Sequence, residues 1–458
     1  MKVLLVNPPP PLKERYFGTP PLGLMCLAST LKLRGHQVKI LDLFSFGEKA
    51  EKVSEVLERE VFDVMGITGM SLQHNAILKT CEIAKSVQPR IVVAVGGAHA
   101  SALPSLLLKD ENIDFVFRGE SDYAFPSLLN KINDPTEWQS ILGLCFKTNE
   151  GFHVSFPEIV EDVDSLPFPA WDLIDLKRYI GHHHGFFYER EPIGKIITSR
   201  GCPYPCTFCA AHIVHSKVWR PQSPKRVISE IDRLVKEEEI RELHIEDDNF
   251  SLDLKRAKSI FREIIGRQYA LKISFPNGIR MDRLDEELLK LMRRGGVYSI
   301  TFGIESGSPR ILQKIKKNIT VEHIERQVKK VKKYGFYTQA FFIVGFPYER
   351  KRDIEETIRF ALKLDLDAAF FGTYVPLPGS QDFEELIGAG KISLEKMDWD
   401  HLFSSEAQDA SLYLTSHEIE SLQRLATRKF YLRPRTLLRS LGRIRGFNQI
   451  KCLLTRIR

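Results

Sequence analysis

The sequence predicts two α/β units in tandem, a parallel sheet covered on both faces and then a partial βα barrel, followed by a helical C-terminal region. Three observations predict it. Short apolar strands alternate with helices up to about residue 131. The alternation resumes near residue 195 and gives about six βα repeats over about 185 residues, too few for an eight-stranded barrel. A less regular, proline-bearing stretch separates the two.

In order, Lys2–Val6 reads as a strand, Pro21–Arg34 as a helix ended by Gly35, Gln37–Asp42 as a strand and Ala50–Glu60 as a helix. Asp63–Thr68, Ile91–Val95 and Asp114–Phe117 are strands, and His74–Val87 and Asp122–Lys131 helices. Strands and helices alternating at this spacing imply parallel pairing with helices on both faces. Ligands of such sheets lie beyond the carboxyl ends of the strands, which singles out residues 7–20, 68–72, 96–100 and 118–123. The stretch 166–171, Leu-Pro-Phe-Pro-Ala-Trp, reads as an extended connector. We expect a first domain over 1–140, a linker over 141–191, a barrel over 192–386 and a helical, basic region over 387–458. His182, His183 and His184 lie in the linker. Three adjacent side chains rarely converge on one ion, so they read as a loop facing the other domain or a substrate.

The barrel strands are expected at Lys195–Ser199, Glu242–Glu246, Leu271–Phe275, Tyr298–Gly303, Thr338–Val344 and Ala368–Tyr374. Helices are expected at Pro224–Lys236, Leu254–Arg267, Asp285–Arg294, Val321–Tyr334 and Asp353–Lys363. A partial barrel leaves an open side for a partner domain or a large substrate.

With 458 residues, 43% apolar and 27% charged, the chain has ordinary globular composition and room for two or three cores. No apolar run is long enough to span a bilayer, and Met1–Val6 reads as a strand and not as a signal peptide. Seven cysteines in a chain this long, three of them within eight residues, suggest a metal site in a reducing, cytoplasmic setting. The formal charge of +7 belongs to the tail: Ser421–Arg458 holds eleven Lys or Arg and no acid, so the rest of the chain carries −4.

Gly201-Cys202-Pro203-Tyr204-Pro205-Cys206-Thr207-Phe208-Cys209 follows a strand and spaces its thiols Cys-x3-Cys-x2-Cys. Three thiolates leave one iron of a 4Fe–4S cluster without a protein ligand, free to chelate the amino and carboxylate groups of a methionine moiety. Zinc is the competing reading, but it takes four ligands, usually as two separated cysteine pairs, and only His212 and His215 stand near. The motif and the array after it resemble the radical S-adenosylmethionine superfamily over about residues 192–379. The resemblance implies a cluster on Cys202, Cys206 and Cys209, shielded by Phe208. It places Asp247 and Asp248 of Glu246-Asp247-Asp248-Asn249-Phe250 against the cofactor's amino group. Glu305 and Ser306 of Gly303-Ile304-Glu305-Ser306-Gly307 would meet ribose and carboxylate, and Gly345 of Phe342–Pro347 the adenine. Tyr374–Ser380 resembles the end of the sixth strand.

The first domain closes adjacent strands with Thr68-Gly69-Met70-Ser71 and Gly96-Gly97-Ala98-His99-Ala100. Small residues at both ends would admit a long ligand tail between sheet and helices. This resembles the Rossmann-like (flavodoxin-like) cobalamin-binding domain, and Pro20–Leu24 and Gly119-Glu120 are typical of that domain fused to radical enzymes. The resemblance implies cobalamin contacts from Asn7, Pro8, Thr68, Gly69, Met70, Gly96, Gly97 and Glu120. Many cobalamin domains carry Asp-x-His-x-x-Gly after the first strand; here the loop reads Asn7-Pro8-Pro9-Pro10-Pro11, so cobalt is expected without a histidine ligand. A large side chain at Gly97 is expected to exclude the ligand.

Together these resemblances imply a cobalamin-dependent radical enzyme that methylates an unactivated carbon, using a 5′-deoxyadenosyl radical and methylcobalamin. Its substrate, a small or lipid-like molecule, has no signature in the sequence, and an external flavodoxin or ferredoxin supplies electrons. A cyclase of the anaerobic porphyrin-ring type and a non-catalytic cobalamin sensor are the alternatives. Methylthiotransferases need further cluster cysteines that the first domain lacks. In the tail, Leu437, Leu441 and Ile444 fall at helical spacing among the basic residues. This suggests peripheral contact with an anionic membrane, with solvated charges as the plain reading and nucleic acid the least favoured partner.

Overall fold

The computed structural model describes residues 1–11, 18–180 and 188–441; His182–His184 and the tail beyond Leu441 lie outside the described residues. The first sheet contains β1 (Lys2–Asn7), β2 (Gln37–Asp42), β3 (Val64–Thr68), β4 (Val92–Gly96) and β5 (Phe115–Phe117). These strands are parallel, in the order β2-β1-β3-β4-β5, so the winding direction reverses between β1 and β3. Helices α1 (Leu22–Leu33), α2 (Lys52–Arg59), α3 (His74–Val87), α4 (Gly97–Ala102), α5 (Pro104–Leu107) and α6 (Ala124–Asn130) cover it. The period-2 geometry of a strand decides which residue faces which layer. Val3 and Leu5 of β1 pack with α1 and α6, while Leu4 and Val6 pack with α2 and α3.

The sheet does not stop at residue 140. β6 (Leu144–Thr148) and β7 (Gly151–Val154) form an antiparallel hairpin that extends it to seven strands, Phe115 pairing with Phe146. The expected linker over 141–191 is therefore corrected at its start. The buried run spans only Leu144-Cys145-Phe146, too few residues to stand out in the sequence.

After the connector, β8 (Ile193–Ile196) enters the barrel. The strand expected at Lys195–Ser199 is split. Ser199–Arg200 (β9) leaves the sheet and pairs antiparallel with Arg220–Pro221 (β10), so the cysteines and the short helix α7 (His212–His215) sit on an excursion between them. Then come α8 (Pro224–Glu237), β11 (Glu242–Ile245), α9 (Leu254–Arg267), β12 (Lys272–Phe275), α10 (Glu286–Arg294) and β13 (Val297–Glu305). The array continues with α11 (Pro309–Lys314), α12 (Val321–Lys333), β14 (Tyr337–Val344), α13 (Lys351–Lys363), β15 (Ala368–Thr373) and α14 (Gln381–Gly388). Six parallel strands in the order β8-β11-β12-β13-β14-β15 make the partial barrel. Helix starts follow local chemistry: Asp253 accepts from the amides of Lys255 (2.8 Å) and Arg256 (3.1 Å), and Ser223 from that of Arg226 (3.2 Å).

The C-terminal region is part of this body. In α15 (Ser416–Tyr431), Ile419, Leu422, Ala426, Phe430 and Tyr431 join the barrel core, and the Tyr431 hydroxyl donates to the Ala369 carbonyl at 2.9 Å. In α16 (Pro434–Leu441), Arg435 and Arg439 pair with Asp365 at 2.9 and 2.7 Å. Met25 of α1 and Trp171 of the connector also enter the barrel core, so the two units share packed side chains. Among the described residues no helix is long and apolar enough to cross a membrane.

Candidate active site

The cysteine loop is fixed from several sides. Gly201 has φ +86°, and a Cβ there would stand 2.2 Å from the Val218 carbonyl oxygen, so only glycine fits. The Thr207 amide donates to the Ile315 carbonyl (3.2 Å), and the Thr207 carbonyl accepts from the Asp382 amide (3.0 Å). The Cys209 sulfur accepts from the Ala211 amide at 3.5 Å. Cys202, Cys206 and Cys209 are half-buried and free. Burial pushes all three thiols up, Cys209 to about 11; Asp248 and neighbouring thiols push Cys202 and Cys209 in the same direction, and Glu305 does so for Cys206. Among the described residues no three His, Cys, Asp or Glu side chains converge on a single ion. A tetrahedral zinc needs that convergence; a cubane with irons at separate corners does not.

Two cations missed in the sequence flank Cys206. Arg280, beyond β12, lies 3.4 Å over the Tyr204 ring and pairs with Asp282 at 2.9 Å. Lys317 pairs with Glu305 at 2.8 Å. Both act to lower the Cys206 thiol against burial, which suits a loop holding an anionic cluster. The position of Arg280 past the end of a strand was the available signal.

The predicted cofactor residues divide. Asp248 is exposed and coupled electrostatically to Cys202, Cys209 and His215. Asp247 is corrected. It is 2% exposed, and its carboxylate accepts from the Thr198 amide and hydroxyl (both 2.6 Å) and the Ser199 hydroxyl (2.5 Å). It ties the end of β11 to the strand leading into the cysteines. Ser306 is corrected likewise: fully buried, its hydroxyl meets Thr357 Oγ1 at 3.0 Å and accepts from the Ser308 amide at 3.1 Å. Glu305 holds a left-handed φ of +66° beside Lys317. Phe208 packs edge-on against Phe346, centroids 5.7 Å apart. The Gly345 amide is taken by Glu349 at 2.6 Å, and a Cβ on Gly345 would meet Ile419 at 2.8 Å. Asn249, fully buried beside Asp248, keeps both side-chain amide atoms without a partner among the described residues. A buried orphan of this kind calls for a ligand or water. The donor set therefore fits a cluster with a chelated cofactor.

In the first domain a cavity of about 220 Å³ opens at the carboxyl ends of β3 and β4, lined by Gly66, Thr68, Gly96, Gly97, Gly119 and Glu120. Arg200, Val214 and His215 of the barrel unit complete its wall, as does Cys26, whose thiol burial raises to about 12. Thr68, Gly96, Gly97 and Glu120 line this cavity together. Asn7 and Pro8 are not on this wall: the Asn7 side chain donates to Asp42 (2.9 Å), and the Pro8 carbonyl accepts from Gln73 (2.8 Å). Gly69 and Met70 are also off it, Gly69 packing against Ile77. His99 is fully buried, its Nε2 2.8 Å from His74 Nδ1, with Trp399 against both rings; burial holds it down at about 3.

Glu120 does more than line the cavity. Its fully buried carboxylate is bound by Arg220 (2.7 and 2.8 Å), His215 (2.9 Å), the Val160 amide (2.7 Å) and, at 3.4 Å, Arg200. Burial alone would raise this carboxyl; Arg220 and His215 outweigh it and hold it far below the usual range. Arg200 also pairs with Asp122 at 2.7 Å. This network locks the two units together at the mouth of the slot.

A sheet with a slot at its strand ends, packed against a partial barrel bearing a three-thiol loop, defines the cobalamin-binding radical S-adenosylmethionine enzymes, and this chain belongs to that family. The model of the radical SAM superfamily matches residues 196–361 and that of the B12 binding domain residues 12–129. An uncharacterised methyltransferase of Pyrococcus horikoshii is 35% identical over 98% of this chain and 96% of its own. The cytidylyl-2-hydroxyethylphosphonate methyltransferase of Streptomyces wedmorensis is 30% identical over 86% and 83%. Among solved structures, the radical methyltransferase TsrM of Kitasatospora setae, with cobalamin and a [4Fe-4S] cluster bound, superposes with a TM-score of 0.73 over 99% of both chains at 18% identity.

Proposed function

We propose that this enzyme is a methyltransferase acting on an unactivated carbon of a small or lipid-like substrate. The observation that carries the reading is the seam between the units. His215 lines the cobalamin slot and is coupled to Asp248, which is coupled in turn to Cys202 and Cys209. His215 and the cysteine loop thus lie within electrostatic reach of the same carboxylate, between the slot and the loop. When bound, the cluster supplies the electron that cleaves S-adenosylmethionine, and cobalamin supplies the methyl group. The protein's own part is to hold and to exclude. Cys202, Cys206 and Cys209 would hold the cluster, and Arg280 and Lys317 beside Cys206 would balance its charge. Asp248 and Asn249 would receive the methionine amino group, and Glu305 the ribose. Asp247 fixes the strand end from which Asp248 projects, and Phe208 with Phe346 keeps water from the loop.

The test is product analysis after anaerobic reconstitution. 5′-Deoxyadenosine together with S-adenosylhomocysteine, the latter only when cobalamin is bound, supports methyl transfer. Deoxyadenosine alone supports cyclisation, and neither product supports a sensor.

The tail carries a second, smaller reading. Arg435 and Arg439 are paired to Asp365; beyond Leu441 the sequence carries Arg443, Arg445, Lys451, Arg456 and Arg458, each worth on the order of 1 kcal/mol at an anionic membrane surface. Flotation with anionic liposomes that is lost on truncation after Leu441 supports this. Equal flotation of both forms contradicts it.

A further inference from the structure

We propose that the substrate is a water-soluble molecule that carries N–H or O–H groups into the lumen of the partial barrel, and not a lipid. The inference rests on the methyl-transfer reading above and narrows the substrate class which that reading leaves open.

Strand periodicity sorts the barrel side chains into two faces. Leu243, Ile245, Ile273, Ile300, Phe342 and Val344 belong to the core shared with the covering helices. The alternate residues face the lumen, and many of them are polar. Lys195, His244, Ser274 and Ser299 are register partners across four adjacent strands, β8, β11, β12 and β13. Side chains paired in register stand on one face of a sheet, so the four form a single row. All four are buried. Gln339 of β14 extends the row: its Nε2 donates to Ser299 Oγ at 2.9 Å. A filled barrel interior is dominated by branched apolar side chains; this row has none.

The protein closes the floor of the lumen by itself. The fully buried Glu242 carboxylate accepts from the amides of Glu189 and Arg190 (2.7 and 2.8 Å), the Tyr298 hydroxyl (2.6 Å) and His244 Nε2 (2.8 Å). The next rung is not closed. With Glu242 accepting, His244 Nε2 is the donor, and the neutral ring keeps Nδ1 as an acceptor. This Nδ1 is buried and has no hydrogen-bond partner among the described residues. Gln339, its Nε2 committed to Ser299, keeps Oε1 to accept. Lys195 turns its Nζ to Glu246 at 2.7 Å. What the row leaves over is therefore acceptor capacity, and a buried acceptor calls for a donor.

The far side of the lumen is apolar. Phe341 and Phe370, register partners on β14 and β15, are half-buried and meet edge-on with ring centroids 6.2 Å apart. Hydrogen-bonding side chains on one wall and aromatic rings on the other suit a molecule with a polar edge and an apolar flank. An alkyl chain in the same place covers the acceptors without pairing them. A site built to hydrogen-bond its substrate rejects an analogue lacking the group by roughly 10⁴-fold or more. The Lys195–Glu246 pair stands at the end of β11, two residues before Asp248. A molecule above the row therefore adjoins the cofactor position assigned to Asp248.

The test uses the full-length reconstituted holoenzyme, dithionite and methyl-deuterated S-adenosylmethionine. An extract of the cells that make the protein is parted between aqueous methanol and chloroform, and each phase is offered separately. Deoxyadenosine formed above the buffer rate and deuterated methyl in the product are read by mass spectrometry. The aqueous phase should raise deoxyadenosine at least tenfold and take up the label. Stimulation and label from the chloroform phase, or from neither phase, overturn the proposal. Gln339→Leu and the double variant Lys195→Met/Glu246→Leu test the row itself. Replacing a buried ion pair by apolar side chains is neutral or stabilising, and Gln339→Leu removes no charge. Both variants should melt no more than roughly 4 °C below wild type and lose the aqueous stimulation at least tenfold. Retained stimulation overturns the proposal. So does a larger fall in melting temperature in both variants, which makes the row structural. If no mixture yields deoxyadenosine, the radical reading fails instead, and the melting arm alone judges the row.

Discussion

Gly96→Trp should empty the cobalamin slot while leaving the cluster site intact. Gly96 ends β4 with φ −131° and ψ −167°, an extended conformation open to any residue, and a Cβ there meets only Phe117 Cβ at 3.8 Å. Its neighbour is unsuitable. Gly97 has φ +89°, and a Cβ would lie 2.6 Å from Thr68 Oγ1 and 2.9 Å from the Gly69 amide nitrogen. Even alanine at 97 therefore costs about 1–2 kcal/mol in backbone strain alone, and tryptophan there would confuse ligand exclusion with misfolding. At 96 the indole grows from the wall of a cavity of about 220 Å³. Burying an aromatic side chain contributes roughly 1.5–3 kcal/mol, which cobalamin must overcome to enter. At 1.4 kcal/mol per tenfold, binding weakens roughly 10- to 150-fold. The assay is cobalamin retained after anaerobic reconstitution and desalting, read by absorbance, beside iron content and thermal melting. The expected result is lost cobalamin, unchanged iron and a melting point at or above wild type, with Gly96→Ala like wild type. Full cobalamin retention in Gly96→Trp refutes the slot, and loss of iron refutes the separateness of the two sites.

Three further outcomes follow from buried groups. Glu120→Gln breaks an ion-pair network that joins the units and should cost about 3–5 kcal/mol at neutral pH. Because the folded Glu120 carboxyl is depressed, its contribution is present above the unfolded value near ~4.3 and is lost as pH falls below it. Urea unfolding of wild type and variant should therefore converge with acid, and a pH-independent gap contradicts the account. Glu349, 0% exposed, is raised by burial to about 8 while it accepts from the Gly345 and Phe346 amides. It is protonated in the fold, so its contribution is full at low pH and declines as pH rises from the unfolded value towards about 8. Glu349→Gln should flatten that slope in denaturant titrations at pH 5 to 8, and Glu349→Ala should cost about 1–3 kcal/mol by orphaning two amides. Truncation after Glu420 removes Leu422, Ala426, Phe430 and Tyr431 from the barrel core and should abolish cooperative melting, whereas truncation after Leu441 should leave it intact. A folded product from the shorter chain would remove α15 from the core.

Most of the parallel architecture was legible because its strands are buried on both faces and read as continuous apolar runs, such as Val3–Val6 and Val93–Val95. The hairpin over β6 and β7 was not, since three buried residues carry too little periodicity. The cysteine loop was legible by spacing. Side-chain direction was not: Asp247 and Asp248 are adjacent letters, yet one turns to Thr198 and Ser199 and the other to the surface. Ser306 was misplaced for the same reason, since its partner Thr357 lies far along the chain. The Glu120 network joins residues about a hundred positions apart, and no local pattern in the sequence announces such a pairing. The tail looked free because its charges are uncompensated in sequence, but Asp365 and Asp367 meet Arg439 in the fold.

The central claim is that Cys202, Cys206 and Cys209 hold a cluster that cleaves S-adenosylmethionine reductively. Its most direct test is 5′-deoxyadenosine formation by the anaerobically reconstituted, dithionite-reduced enzyme, compared with Cys206→Ala treated identically. The account predicts one 4Fe–4S cluster and deoxyadenosine from the wild type, with both abolished in the variant. Deoxyadenosine at the wild-type rate from Cys206→Ala would contradict it.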